Sequence, residues 1–345
     1  MSDSLKDDKT LVFDAPKQAR QVPNTGDFIG CISDMALFGN NTYPIGVDMG
    51  NDALTLVQMA NGKGKDVVHL HASHSIEYPE SVKPGSPSWQ RWAVAVIART
   101  ITHGRFKGKK VIATMPAREV FIDTIRMPKV SDGELQNAIL KHLKPKLEIA
   151  PKDALIQHSK ADSENILVMA TDKTKLYKHL AIYENARLKV ASISIWPMAV
   201  LNAYSRLWAG RMGQVDNPVI LLDVAKSYTN IIICDSANLY FAHSAPMGAG
   251  NLDIDRMVDL LNSEIDMCRA KFRSTYKQLQ VNKIIFVSGH AVDTDIYKKI
   301  AERAKMAAQI GDCFDAIGAT RPDQDDPESN VRHANWMTAM GLSLS

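Results

Sequence analysis

A chain of 345 residues, 45% hydrophobic and 23% charged, holds enough apolar material for two domains of roughly 150 residues each. Its 41 basic and 38 acidic residues are mixed along the sequence and leave a net charge of +3, so no polybasic tract points to nucleic acid or to a lipid surface. Cys31, Cys234, Cys268 and Cys313 lack metal-ligand spacing, no apolar run reaches the roughly 20 residues of a membrane-spanning helix, and MSDSLKDDKT has no signal-like apolar core; together these predict a cytoplasmic protein that meets a membrane through a partner and not by direct insertion.

Residues 1–41 are polar and aperiodic and read as a disordered tail, in which Phe28–Phe38 alone has a weak helical pattern. At Tyr43 the character changes. YPIGVDMGNDALTLVQMA reads as a buried strand, a Gly-containing turn and a second strand. HLHASHSIEYP adds a third strand, Trp89 to His103 has helical spacing, and KKVIATMP is an apolar strand, which completes a β-β-β-α-β unit over 42–117. Residues 118–189 form a smaller inserted unit: the strand VFIDTIRMP, a helix with Leu135, Ile139, Leu140 and Leu143, two strands near Ala154 and Ile166, and a helix with Leu176, Leu180 and Ile182. The strand VASISIWP and a helix from Met198 occupy 190–210. In 211–345 the opening pattern recurs: VILLDVAKSYTNIIICD is again strand, acidic turn and strand, and NLYFAHSAP is a third strand. A long helix from about Leu252, the strand KIIFVSG, an amphipathic helix from Asp295 to Ala308 and a terminal helical segment, ANWMTAMGLSLS, complete an approximate internal duplication.

Each hairpin carries an acid at the end of its first strand, Asp48 and Asp223, about 175 residues apart. A nucleotide gripped between two domains needs backbone N–H groups from a tight turn of each around its phosphates, and carboxylates that hold Mg²⁺ through water. The first turn offers Asp48, Gly50, Asn51 and Asp52; the second offers Asp223, Ala225, Ser227 and Thr229. A third turn, Ser288-Gly289-His290, follows KIIFVSG at a place where glycine lets the backbone pass close beneath an adenosine. Gly248 and Gly250 either loosen the start of the long helix or open it as an N-terminus that faces phosphate. The plain alternative is that Asp48 and Asp223 are turn formers. A second candidate surface borders the inserted unit, where Val120, Ile122 and Ile125 give a strand an apolar edge suited to an extended peptide. Trp196 and Trp336 read as core residues, and Arg118 and Glu119 as solvated charges.

The motifs in order resemble those of the PilM family of type IV pilus assembly proteins, relatives of FtsA within the actin-like ATPases. IGVDMGNDALTLV is similar to the family's first phosphate motif and LLDVAKSYTNIIICD to its second. MPAREVFIDTIRMPKVSDGELQNAI resembles the start of its inserted subdomain, and APMGAGNLD and WMTAMGLSL resemble the opening of its long helix and its terminal connecting helix. The resemblance implies an α/β actin-like (sugar kinase/heat-shock chaperone/actin) two-domain fold, with duplicated mixed sheets and a small inserted α+β subdomain. It implies ATP and Mg²⁺ as ligands of the turns named above, Asp48 and Asp223 serving the metal through water. It also implies a scaffold for a pilus, or for a type II secretion pseudopilus, that binds the cytosolic tail of a PilN-like inner-membrane protein, with other pilus assembly proteins as further partners and the oligomeric state left open. The chain departs from the family at Ala225 and His290, where glycine is usual, and at Thr55, where Lys is frequent. Pro197-Met198-Ala199-Val200-Leu201 offers no Gln or Glu to orient an attacking water, so no catalytic residue is assigned and ATP turnover, if any, is expected to be slow. The alternatives are a small-molecule kinase of the same fold, for which the insertion lacks a clustered carboxylate pair, and an FtsA-like cell-division protein, for which a basic amphipathic helix is expected after the terminal connecting helix.

Overall fold

The structure, a computed structural model, describes residues 41–63, 67–126, 132–162, 164–209, 217–250, 253–289, 292–320 and 336–345. Residues 1–40 of the proposed tail, with Cys31 and Phe28–Phe38, and His290 lie outside the described residues.

Two five-stranded mixed sheets repeat one topology. In the first, β1 (Thr42–Met49), β2 (Ala53–Asn61) and β3 (Val68–Glu77) form an antiparallel meander, and β4 (Lys110–Thr114) and β8 (Lys189–Ser194) add in parallel on the other side of β1, giving the order β3-β2-β1-β4-β8. In the second, β9 (Val219–Val224), β10 (Thr229–Cys234), β11 (Leu239–Ala245), β12 (Lys283–Phe286) and β13 (Ala307–Ile310) take the matching order β11-β10-β9-β12-β13. The duplication read from the two hairpins is therefore a duplication of whole sheets.

Both faces of each sheet are covered, which is why the strands read as continuous apolar runs rather than alternating ones. On β9, Val219 and Leu221 face one core cluster while Ile220, Leu222 and Val224 face another. The inner cluster joins the two sheets through α4 (Trp196–Tyr204), prolonged by one π-helical stretch to Ala209, and α8 (Trp336–Ser343). On the outer faces, α1 (Pro87–His103) and α3 (Lys173–Asn185) cover the first sheet, and α5 (Ile254–Thr275) and α6 (Thr294–Ala304) cover the second. Side-chain caps fix several helix starts: Ser86 accepts from the Trp89 N–H of α1, and Asp253 from the Asp255 and Arg256 N–H groups of α5.

Between β4 and β8 the chain makes a third, antiparallel sheet from β5 (Val120–Arg126), β6 (Ala154–Lys160) and β7 (Asn165–Asp172) in the order β5-β7-β6. With α2 (Asp132–Leu143) it encloses a separate small core of Ile125, Ile139, Leu143, Ile166, Val168 and Ala170. Helix α3 does not belong to that core, because Ile182 and Tyr183 pack with Trp89 and Ile97 over the first sheet. Two elements escaped the sequence reading. The amphipathic helix stops at Ala304, where Lys305 takes a left-handed conformation (φ 52°), and β13 follows at once; α7 (Cys313–Ile317) comes after it and buries Phe314 in the inner core. No helix among the described residues is long and apolar enough to cross a membrane.

Candidate functional site

Strand alternation turns the two acids toward each other. Ile45, Val47 and Met49 fill the outer core, so Asp48 faces inward, and Asp223 shares the inner face of β9 with Val219 and Leu221. Both carboxylates are nearly sealed, at 4% and 3% exposure. Burial, and then the charge of Asp223, pushes the Asp48 carboxyl up to about 8. Burial also raises Asp223, but to about 6, because Ser288 and Asn230 donate hydrogen bonds that favour its charged form (3.1 and 3.2 Å). Burial thus favours a proton held by the pair.

The turns after these acids are joined directly. Ser227 donates its backbone N–H to Oδ2 of Asp52 at 2.9 Å and its hydroxyl to Oδ1 of the same carboxylate. Lys226 pairs with Glu77 of the first sheet at 3.2 Å. Two further amides of the second turn are committed as well: Val224 N–H to the Ser288 hydroxyl (2.6 Å) and Ala225 N–H to the Tyr228 carbonyl (2.9 Å). Gly248 and Gly250 lie flat on this turn. Ala249 and Gly250 donate to the Ala225 and Lys226 carbonyls at 2.9 Å each, and a Cβ on Gly248 would stand 2.2 Å from the Ala225 oxygen. The contacts show close backbone packing on the second turn, a role that neither sequence reading of these glycines named.

The other sequence candidates are placed as follows. Gly50 accepts a hydrogen bond from the Tyr78 hydroxyl through its carbonyl (3.0 Å), Thr55 pairs with Ser75 (2.8 Å), and Thr229 donates to the Met247 carbonyl (2.9 Å). Gly289 has φ 61°, a conformation that favours glycine, and its carbonyl accepts from Tyr297 (3.0 Å). The Asn51 amide oxygen is buried without a hydrogen-bond partner among the described residues. In this geometry the Ser227 N–H and hydroxyl and the Val224 and Ala225 N–H groups are spent on groups of the protein itself, so a triphosphate with Mg²⁺ could use the Ser227 donors only by displacing Asp52.

Beside the acidic turns lies a cavity of about 700 Å³. Asn51, Ser227 and Tyr228 line it, and Val120 and Ile122 at the start of β5 form an apolar wall with Trp196. Neither Asp48 nor Asp223 reaches its lining. Opposite β5 runs β11, the edge strand of the second sheet, with Ala242, His243 and Ser244 on the cavity; the two edges touch where the Thr124 hydroxyl donates to the Tyr240 carbonyl (3.0 Å). Ile125 is not on this wall. It faces α2 with Phe121 and is 5% exposed, as strand alternation demands of a residue three places from Ile122. Glu119, read as a solvated charge, is a wall residue with only 9% of its side chain exposed, and its Oε2 lies 3.0 Å from Nε2 of His179. Burial alone would raise its carboxyl, but the hydrogen bond and charge of His179, with Lys175 and Arg118 nearby, hold it below the usual range. The Glu119–His179 contact spans 60 residues and has no local sequence signal.

No protein-family model and no curated protein matches the chain by sequence. Solved structures do match it in shape. A chain of the PilM–PilN type IV pilus biogenesis complex superposes with a TM-score of 0.70 at 16% identity, over 88% of this chain and 98% of that one. The ethanolamine utilization protein EutJ from Carboxydothermus hydrogenoformans matches at 0.49 and 12% identity over 89% and 90%, and a Bacteroides thetaiotaomicron protein with an actin-like ATPase fold at 0.48 and 9% over 82% and 94%. The chain is thus an α/β protein of the actin-like fold class, and its fold is the one seen in the PilM–PilN complex.

Proposed function

We propose that the chain is an adaptor for assembly of a type IV pilus, or of a related secretion pseudopilus, which works at the cytoplasmic face of the inner membrane by holding the short cytosolic tail of a PilN-like membrane protein. The observation that carries this reading is the cavity of about 700 Å³ between the start of β5 and the edge of β11, in a fold shared with a chain of the PilM–PilN complex. Two neighbouring strand edges leave backbone groups for an extended peptide, and Val120, Ile122 and Trp196 supply pockets for its side chains. No step of this proposal runs through a nucleotide.

The test is a titration of the full chain with a synthetic peptide of the cytosolic tail of a PilN-like protein, followed by tryptophan fluorescence and by pull-down. Trp196 on the wall should report saturable binding, and Val120→Glu, which puts a charge on the wall, should weaken capture by about tenfold or more with the fold intact. Capture at wild-type strength by a folded Val120→Glu chain would move the docking site elsewhere.

A further inference from the structure

We propose that Asp52 stands in the place of a phosphate at the second acidic turn, so that a carboxylate of the chain itself, and not a nucleoside triphosphate, closes the cleft between the two sheets. Asp52 belongs to the β1–β2 turn of the first sheet and Ser227 to the β9–β10 turn of the second. Its two oxygens take two different donors of one residue, the Ser227 N–H and the Ser227 hydroxyl, which is how a tight turn receives an anion. A triphosphate entering here would meet a carboxylate where it needs donors, and like charges at contact distance repel. Several other donors around this turn are engaged as well. The Val224, Ala225, Ala249 and Gly250 amides are all donated to protein oxygens, and the Lys226 ammonium is paired with Glu77 across the same junction. At Gly248 the backbone runs so near the Ala225 carbonyl that nothing fits between them.

Closure by a side chain also bears on motion. In a fold whose halves close around a ligand, the closed state lasts as long as the ligand. Here the closing group is covalently part of the chain, so closure of the two acidic turns does not depend on a bound ligand. That is a property of a scaffold rather than of a ligand-driven switch.

The test uses the full chain. Calorimetry with ATP and Mg²⁺ should give no saturable signal for the wild type up to millimolar concentrations. In Asp52→Ser the Ser227 amide loses its acceptor, and its hydrogen exchange should speed up by about tenfold or more. Asp52→Asn, which keeps the size of the side chain and removes its charge, should show the same direction if the serine variant folds poorly. Saturable ATP binding by the wild type overturns the proposal, and so does unchanged exchange at Ser227 in the asparagine variant. A chain that ignores ATP yet fails to hold the tail peptide would sink the adaptor reading and leave this one standing.

Discussion

A buried carboxyl is costly when charged, and Asp48 illustrates what the molecule does about it. With Asp223 facing it, Asp48 keeps its proton up to about pH 8, whereas in an unfolded chain an ordinary aspartate releases it near 3.8. The folded state therefore binds more protons between these values, and stability must fall as pH rises from about 4 to 8. Asp223, raised to about 6, adds to the lower half of that window. Asp48→Asn supplies a permanently neutral side chain of the same size. In chelator-treated buffer at pH 8 it should be more stable than the wild type by about 1 kcal/mol or more, and its thermal stability should vary less with pH. An asparagine variant that melts below the wild type at pH 8 and with it at pH 5 would show that the charged form of Asp48 is the stabilising one. The sequence placed both acids at strand ends, and period-2 alternation would have turned them inward. It could not show Asp52 spanning the gap to Ser227, because that contact joins residues 175 apart and leaves no periodic trace.

At the scale of elements, the inner layer depends on two positions where helices and strand meet without side chains. A Cβ on Gly341 of α8 would stand 1.8 Å from the Ala199 carbonyl of α4, and one on Gly46 of β1 would stand 2.1 Å from the Ala339 carbonyl of α8. Polar contacts fix the register of the same layer: Asn202 of α4 donates to the Gly341 carbonyl (2.7 Å), and the Ser343 hydroxyl donates to the Pro44 carbonyl (2.7 Å) while accepting the Met59 N–H (2.9 Å). Gly341→Val should force α8 away from α4, costing about 1–3 kcal/mol or more and lowering the melting temperature by several degrees. An unchanged melting temperature would mean that the helices can separate freely. Most elements were legible because each has one buried pattern, such as the apolar run of β9 or the helical spacing of α1. Those that were not have local causes. The pattern of α6 runs on past its true end, since a left-handed Lys305 carries no composition signal, whereas the left-handed Gly318 that ends α7 does. The split of Val120 and Ile122 from Ile125 was available from alternation alone, once β5 is known to bury both faces.

For the molecule as a whole, the three sheets differ in how their cores are built, and this sets which part can move. The two large sheets share the inner cluster through α4 and α8, so neither can open without exposing residues such as Leu221, Ile232 and Met340 on the common layer. The small sheet has its own core of six buried residues on the face toward α2, while on its other face Leu167, Ile122 and Met169 pack against the inner cluster and Thr124 meets Tyr240 of the second sheet. As the smaller of these cores, the one under α2 is the unit expected to open first. Ile125→Ala removes a buried side chain from it and leaves the cavity wall untouched, which should cost about 2–5 kcal/mol locally. Hydrogen exchange should then accelerate across β5, β6 and β7 while the amides of Ile220 to Leu222 and Ile231 to Ile233 exchange as in the wild type. Tail capture should weaken as well, since the wall at Val120 and Ile122 is part of the strand that opens, and added peptide should slow the accelerated exchange in return. Uniform acceleration across both large sheets would show that the inserted sheet folds as one with them, and the idea of a locally mobile docking wall would fail.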